Sequence, residues 1–216
     1  MKNRMFAVAV LAMLTVSSSA FAAGKGTSML SLGLGQGTAD TYAANDLGGL
    51  ASGTYLAPST SPETSVGAEY WYMFSDDYAL AISGAYGFGS MEWESSDAAD
   101  PKIKATTSSF KVRVGGDRVG QVGERFLVFM GPGLEYWNGK AKVDVGGAEA
   151  ESEGVSRFGV SGRIGGFMML SSGVGIMGQV GHTFGYASVE DGSAKTTWWP
   201  GSFEASWGLT FSFGGN

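Results

Sequence analysis

The sequence beyond residue 22 predicts an all-β protein: an eight-stranded antiparallel up-and-down transmembrane β-barrel with short periplasmic turns and long extracellular loops. Two observations predict it. Eight segments alternate apolar residues with small or polar ones, and the connectors between these segments alternate long and short. A strand needs this period of two when one face contacts lipid and the other contacts a crowded polar interior.

The first 22 residues have the features of an export signal. Lys2 and Arg4 form a short basic region, residues 5–16 form an apolar stretch too short to span a bilayer, and residues 20–22 form a small-x-small cleavage site. We therefore expect cleavage after this site. An uncleaved membrane anchor is the alternative, but the apolar run is short, serines follow it, and no stop-transfer flank is present.

Composition excludes several classes of protein. Aromatic residues make up 12% of the chain, which argues against disorder, and beyond the export signal no run of about 18 apolar residues predicts a membrane helix. The chain has no cysteine, so thiolate metal sites and disulfides are excluded. Loss of the signal peptide, 1–22, leaves one barrel domain, 23–216, and changes the formal charge from −6 to −8, which does not favour nucleic acid as a partner.

Eight segments carry the alternation that predicts strands. They span residues 27–38, 63–74, 78–91, 105–115, 125–137, 156–170, 174–188 and 201–213. The short connectors are 75–77, 116–124 and 171–173, and the long ones are 39–62, 92–104, 138–155 and 189–200. Because turns are short on the periplasmic side of such barrels, we expect both termini in the periplasm. Pro132, between two glycines, predicts a bulge or kink in the fifth segment.

Aromatic residues cluster at the two ends of these segments. The set at the inner rim is Tyr72, Phe74, Tyr78, Phe126, Phe211 and Phe213, and the set at the outer rim is Tyr86, Phe88, Tyr136, Phe158, Tyr186 and Phe203. Two aromatic girdles are typical of a barrel that crosses a bilayer. The core of a secreted β-sandwich would explain the alternation but not this clustering.

Charged residues occur on the side of the strands opposite the apolar side chains. These inward charges are Glu69, Lys111, Arg113, Glu135, Arg163 and Glu204. An eight-stranded barrel has an interior just wide enough for side chains to fill, and buried charges persist when they are paired. We therefore favour a lumen closed by pairs between these acids and bases. A narrow pore lined by the same groups is the alternative.

Three patterns were considered as signs of an enzyme or a cofactor site. Residues 173–178 match a dinucleotide-binding fingerprint, but they open a strand instead of a helix. His182 lies on the lipid-facing side of its predicted strand, and its neighbours do not form a His-x-Ser arrangement. Glu149, Glu151 and Glu153 fit a solvated acidic loop better than a cation site. We predict no catalytic residue, no metal and no cofactor.

The whole mature segment resembles the small eight-stranded outer-membrane barrel families of Gram-negative bacteria, such as the barrel domain of outer-membrane protein A, the opacity-type adhesins and outer-membrane protein W. The resemblance is found in the segment from Phe129 to Tyr136 and in the last predicted strand, residues 201–213. The resemblance implies insertion by the barrel-assembly machinery, which reads an alternating strand that ends on Phe. In this chain that strand contains Trp207, Leu209, Phe211 and Phe213, and Gly214-Gly215-Asn216 extends beyond it.

The sequence therefore predicts a porin-like protein of the cell outer membrane, in contact with lipid and lipopolysaccharide. We interpret it as a non-enzymatic barrel with a structural or surface-interaction role, in which the extracellular loops meet any ligand because rigid scaffolds commonly carry binding residues on loops. A narrow pore for small or apolar solutes and a lipid-modifying outer-membrane enzyme are the alternative functions.

Overall fold

The computed structural model describes residues 24–41, 59–93, 103–145, 147–151, 154–191 and 194–214. Ten β-strands occur in these ranges: β1 (Ser28–Thr41), β2 (Ser59–Met73), β3 (Tyr78–Trp93), β4 (Ile103–Val122), β5 (Phe126–Val145), β6 (Ala148–Glu151), β7 (Val155–Met169), β8 (Val174–Asp191), β9 (Ala194–Trp198) and β10 (Gly201–Phe213). In the part of the chain that is described, no helix is long and apolar enough to cross a membrane.

The strands form one closed antiparallel ring. Neighbours in the ring are β10, β1, β2, β3, β4, β5, β7 and β8, and β10 pairs with β8 as well as with β1. Closure removes the sheet edges of this ring, so nearly all of its backbone polar groups can bond to one another without water. The predicted eight-stranded up-and-down barrel is confirmed.

The two short strands extend the walls of the barrel at the extracellular end. β9 pairs with β8 in the same register as β10, as the pairs Ala187–Trp198 and Phe184–Gly201 show, and only residues 199–200 interrupt the ladder. β6 pairs with β5 directly above β7, which pairs with β5 from Gly139 downward. The described residues of the segments 138–155 and 189–200 therefore lie largely in two-stranded ribbons, and the predicted strand bounds there were too short. Ribbons in water need no apolar face, so these segments carry little hydrophobic signal.

The fourth strand also extends further than predicted. The segment 116–124 was assigned to a turn, but β4 continues to Val122 and the turn begins at Gly123, whose φ of 73° suits glycine. The outward positions here include Gly116, Arg118 and Gly120, which provide no apolar stripe. Pairing with β3 and β5 holds this part of the strand in place instead.

Pro132 interrupts a ladder without inserting a residue. The pairs Gly115–Gly133 and Arg118–Met130 share one register, and no pairs form between them. Proline lacks the N–H group that a ladder requires, which accounts for the gap. On its other side Pro132 still pairs with Gly162 of β7. No bulge is therefore formed, β4 and β5 lose their pairing locally, and a kink at Pro132 stays a prediction.

The outer surface of the ring is apolar. Ile82, Val128 and Leu209 are 43%, 38% and 52% exposed, whereas their inward neighbours Ala81 and Phe129 are buried. All aromatic residues predicted for the two rims are exposed on this outer face. The inner-rim set lies near the strand ends, whereas Tyr86 and Tyr136 of the outer-rim set lie near the middle of β3 and β5, because these strands extend beyond their predicted bounds. In a membrane such side chains contact lipid in the middle of the bilayer and the headgroup region at both ends.

Arginine at the lipid-facing positions tests this orientation. We expect Ile82→Arg, Val128→Arg or Leu209→Arg to lower the free energy of unfolding in lipid vesicles by about 2–4 kcal/mol, because the guanidinium would face hydrocarbon. Ser172→Arg, in an exposed periplasmic turn, is the control and should cost about 0–1 kcal/mol. Tolerance of arginine at all three strand positions would mean that the two faces are assigned the wrong way round.

Candidate functional site in the barrel lumen

The inward side chains divide the lumen into an apolar half and a polar half. Next to the periplasmic turns, most inward positions hold large apolar side chains, although Ser31, Asp117 and Thr210 are also buried there; the other charged side chains lie nearer the extracellular end. The sequence predicted a polar interior throughout, which is wrong for the periplasmic half. The closed ring leaves this half accessible neither to lipid nor to water, so apolar side chains fill it.

A set of buried apolar residues, called here the apolar layer, fills the periplasmic half of the lumen. It consists of Met29, Trp71, Met73, Ala79, Ala81, Val119, Leu127, Phe129, Phe167, Met169 and Met177. The Trp71 ring centroid lies 4.4 Å from that of Phe129 and 5.0 Å from that of Phe167, and the two phenylalanine centroids are 5.1 Å apart. Since Trp71 is on β2 and Phe167 is on β7, directly opposite in the ring, the three rings cross the whole lumen.

Arg163 of β7 lies at the boundary between the two halves. Its Nε and Nη2 donate to the two carboxylate oxygens of Asp117, at 3.2 and 2.6 Å, and its Nη1 donates to Glu69 and, at 3.0 Å, to Gln179 Oε1. The guanidinium carbon also lies 4.4 Å from the centre of the Trp71 ring. A buried cation needs such a complete set of partners to offset the loss of hydration.

Two ion pairs cross the lumen between opposite walls. Glu69 and Arg163 join β2 to β7, and Lys111 and Glu204 join β4 to β10. In each case the two strands are four places apart in a ring of eight, so the pair spans the diameter. The Lys111–Glu204 pair lies nearer the extracellular end and is partly hydrated, with side chains 16% and 33% exposed.

The remaining inward charges are paired with partners that the sequence did not identify. Glu135 accepts hydrogen bonds from Arg157 Nη2 at 3.0 Å and from Thr183 Oγ1 at 3.1 Å. Arg113 donates from Nε to Ser161 Oγ at 2.9 Å, and its Nη2 lies 3.9 Å from Asp117 Oδ1. The structure therefore pairs Glu69 with Arg163 and Lys111 with Glu204, whereas Arg113 contacts Ser161 and Asp117.

Two interior charges, Asp117 and Arg157, were not identified from the sequence, although the alternation along their strands indicates both. Asp117 lies in the segment that was assigned to a turn, but it has the same parity as Lys111 and Arg113 once β4 is extended. Arg157 lies six residues before Arg163 on the same face of β7, one residue inside the predicted start of that strand. Extending the period-two pattern of β4 would have found Asp117, and applying the pattern from the first residues of the predicted segment 156–170 would have found Arg157.

A polar cavity lies between the two transverse ion pairs. Its volume is about 80 Å³, measured as the space open to the centre of a water molecule, and a second cavity of about 40 Å³ adjoins it toward the extracellular end. Ser65, Lys111, Glu135 and Glu204 line both cavities. Glu69 and Arg163 lie at the lower end of the larger one. Such a space has room for roughly five to eight water molecules.

The other sequence candidates lie outside the lumen. His182 is exposed on the outer face, between Gly162 of β7 and Phe203 of β10. Residues 173–178 form the end of a turn and the start of β8, not a helix. Glu149 pairs with Lys142 at 2.6 Å, Glu153 is outside the described residues, and no group of three metal-ligating residues occurs in the described ranges.

The predicted assembly strand is β10, the strand that closes the ring. Trp207, Leu209, Phe211 and Phe213 are all exposed on its lipid-facing side. Gly214 follows with a φ of 73°, and residues 215–216 lie outside the described part of the chain. Whether the insertion machinery reads this strand stays a prediction.

Comparison with protein families gives the same architecture. The family model described as "outer membrane protein beta-barrel domain" matches residues 7–214. The chain belongs to this family. It is therefore a protein of the outer membrane, and its outer face contacts membrane lipid.

Several solved structures have a similar fold. Ail of Yersinia pestis, in complex with the heparin analogue sucrose octasulfate, has a TM-score of 0.50 and 18% identity over 88% of this chain and 99% of Ail. OprG of Pseudomonas aeruginosa has a TM-score of 0.44 and 14% identity, over 88% of this chain and 97% of OprG. Neisserial surface protein A has a TM-score of 0.43 and 14% identity, over 87% and 97%. A comparison with curated protein sequences found no match.

Removal of the Arg163 guanidinium tests the network at the boundary. We expect Arg163→Met to lower the free energy of unfolding by about 3–5 kcal/mol, because Glu69 and Asp117 keep buried charges that have lost their main partner. Adding Glu69→Gln and Asp117→Asn should recover much of this loss. Urea unfolding in lipid vesicles measures both effects.

Lys111→Met provides the matched control, since it breaks the partly hydrated pair and should cost only about 1 kcal/mol. Equal costs at Arg163 and Lys111 would mean that water screens both pairs alike and that the boundary network has no special role in stability.

Proposed function

We propose that this chain is a non-enzymatic outer-membrane barrel with a closed lumen, whose role is structural and in surface interactions through its extracellular ribbons. The observation that carries the proposal is the blocked axis of the barrel. A solute moving along it would meet the Lys111–Glu204 pair, then the Glu69–Arg163 pair, and then the three stacked rings of the apolar layer. In an eight-stranded ring there is little space for a path around them.

The extracellular ribbon of β5 and β6 supports a surface role. At its tip, the Gly147 N–H donates to Asp144 Oδ1 at 2.8 Å, and Gly147 adopts a φ of 91°. Lys142 and Glu149 pair across the ribbon. A ribbon held by its own backbone ladder and side-chain bonds presents charged groups at fixed positions, so a partner can bind it without first ordering a loop.

We do not propose the ligand of Ail as a ligand of this chain. Ail was solved with a polysulfated sugar, whereas this chain has a formal charge of −6. Like charges oppose association at long range, so the net charge favours a neutral or basic partner for the ribbons. Lipopolysaccharide around the barrel and the assembly machinery during insertion are the other partners that we propose.

A narrow pore is the second candidate, and the polar cavity is the observation in its favour. The cavity and its smaller neighbour provide a polar path through part of the lumen. The apolar layer argues against a complete path. A lipid-modifying enzyme is the third candidate, with exposed His182 as its main residue; His182 lies between Gly162 and Phe203 on the neighbouring strands, neither of which is a nucleophile or an acid.

Conductance recording tests the closed lumen. We expect the purified protein in planar bilayers to show no stepwise current, because the apolar layer offers no solvation to an ion. A general porin in the same bilayers is the positive control. Ion-selective current from the unaltered protein, lost when Glu204 or Lys111 is neutralised, would favour the pore instead.

A topology experiment tests the display of the ribbons. A recognition sequence for a site-specific protease, inserted after Gly147, should be cut when the protease is added to intact cells, because this tip faces outward. The same sequence inserted after Ser172, in a periplasmic turn, is the matched control and should survive until the cells are lysed. Cleavage only at Ser172 would reverse the orientation and remove the ribbons from the cell surface.

A further inference from the structure

The two halves of the lumen differ in their access to water. Ser65 and Gly67 of β2 and Ser83 and Ala85 of β3 line the polar cavity and are partly exposed. Further toward the periplasm on the same faces, Trp71 and Ala81 have no exposed surface at all. The change occurs within two to four residues along each strand, at the level of Arg163.

From this change we infer that the apolar layer is the barrier to ions, and that the polar cavity is a hydrated pocket for water and small charged solutes that opens to the extracellular side and ends blind at Arg163. This inference rests on the proposed closed lumen and names the residues that close it. The charged pairs hold the walls together but do not set permeability.

The ion pairs are poor barriers on physical grounds. The Lys111–Glu204 pair is partly hydrated and borders both cavities, so water and ions can replace each partner at small cost. A solute ion beside Glu69 or Arg163 would still meet charged groups and the Gln179 amide, which offer hydrogen bonds. These groups make the polar half a tolerable environment for an ion.

The apolar layer offers no such replacement for water. Trp71, Phe129 and Phe167 are in mutual ring contact, and methionines from β1, β2, β7 and β8 are buried in the same layer. Methionine adapts its shape to irregular gaps, so the layer can pack without continuous voids. The polar side chains buried beside the layer bond to one another, Ser31 with Thr210 and Asp117 with Arg163. An ion that entered the layer would therefore lose its hydration and gain few polar partners in exchange.

A pair of cysteine variants tests the boundary directly. Ser83 and Ala81 lie two residues apart on the same face of β3, one lining the cavity and the other buried in the apolar layer. The chain has no cysteine, so each variant carries a single thiol. We expect a cationic methanethiosulfonate reagent to modify Ser83→Cys in the folded barrel and to leave Ala81→Cys unmodified until the barrel is unfolded by boiling.

Heat-modifiable migration in detergent gels confirms that both cysteine variants are folded before labelling. Modification of Ala81→Cys in the folded barrel would overturn the dry layer, and protection of Ser83→Cys would overturn the hydrated pocket. Both outcomes are independent of whether the unaltered protein conducts.

Conductance of two multiple variants tests which residues form the barrier. We expect Trp71→Ala/Phe129→Ala/Phe167→Ala to produce stepwise currents, and Lys111→Met/Glu204→Gln to remain silent. Currents from the ion-pair variant and none from the folded aromatic variant would overturn the inference while leaving the closed lumen intact. Currents from the unaltered protein would instead overturn the proposed function.

If the triple aromatic variant does not fold, a milder change answers the same question. Phe129→Ala alone, combined with Ala81→Cys, should make the thiol reactive in the folded barrel by admitting water into the layer. Continued protection of the thiol in this folded variant would count against the layer as the barrier.

Discussion

The lumen of this barrel depends on the neutralisation of one buried guanidinium. Arg163 sits where an apolar environment meets a polar one, and a cation there persists only when its charge is matched and its donors are used. Asp117, Glu69 and Gln179 supply the acceptors, and the Trp71 ring supplies a π-face. Because these partners come from β4, β2 and β8, a single side chain from β7 fixes the relative positions of four strands.

The two halves of the lumen stabilise the barrel by different interactions, and they differ in the space that they leave for water. In the periplasmic half, burial and ring packing stabilise the closed ring in the way that an ordinary hydrophobic core does. In the extracellular half, hydrogen bonds and ion pairs keep the walls at a defined distance, and space for water remains between them. A barrel that was apolar throughout would have no reason to hold water, and one that was polar throughout would have little to stop an ion.

The period of two predicted most of the ring, because lipid outside and packing inside impose opposite preferences on alternate residues. The prediction failed where one preference was missing: at 116–122, where the outward positions are not apolar, and in the ribbons beyond the membrane. For this reason Asp117 was not identified as an interior charge. The alternation tells which face of the sheet a side chain lies on. It does not tell how far along the barrel axis that side chain lies or which side chains of distant strands it contacts, so the partners of Arg113 and Glu135 could not be predicted. The apolar layer was missed because interior positions were assumed to be polar.

The transverse ion pairs have a consequence for the way the barrel assembles. Glu69 and Arg163 are 94 residues apart in the chain, and Lys111 and Glu204 are 93 residues apart, so neither pair can form from neighbouring hairpins. Until the last strand joins the first, these four charges lack their partners, and hydrocarbon cannot solvate them. An incomplete sheet of this sequence is therefore excluded from the bilayer interior. We therefore expect insertion, closure and the pairing of opposite walls to occur together in one late step of folding.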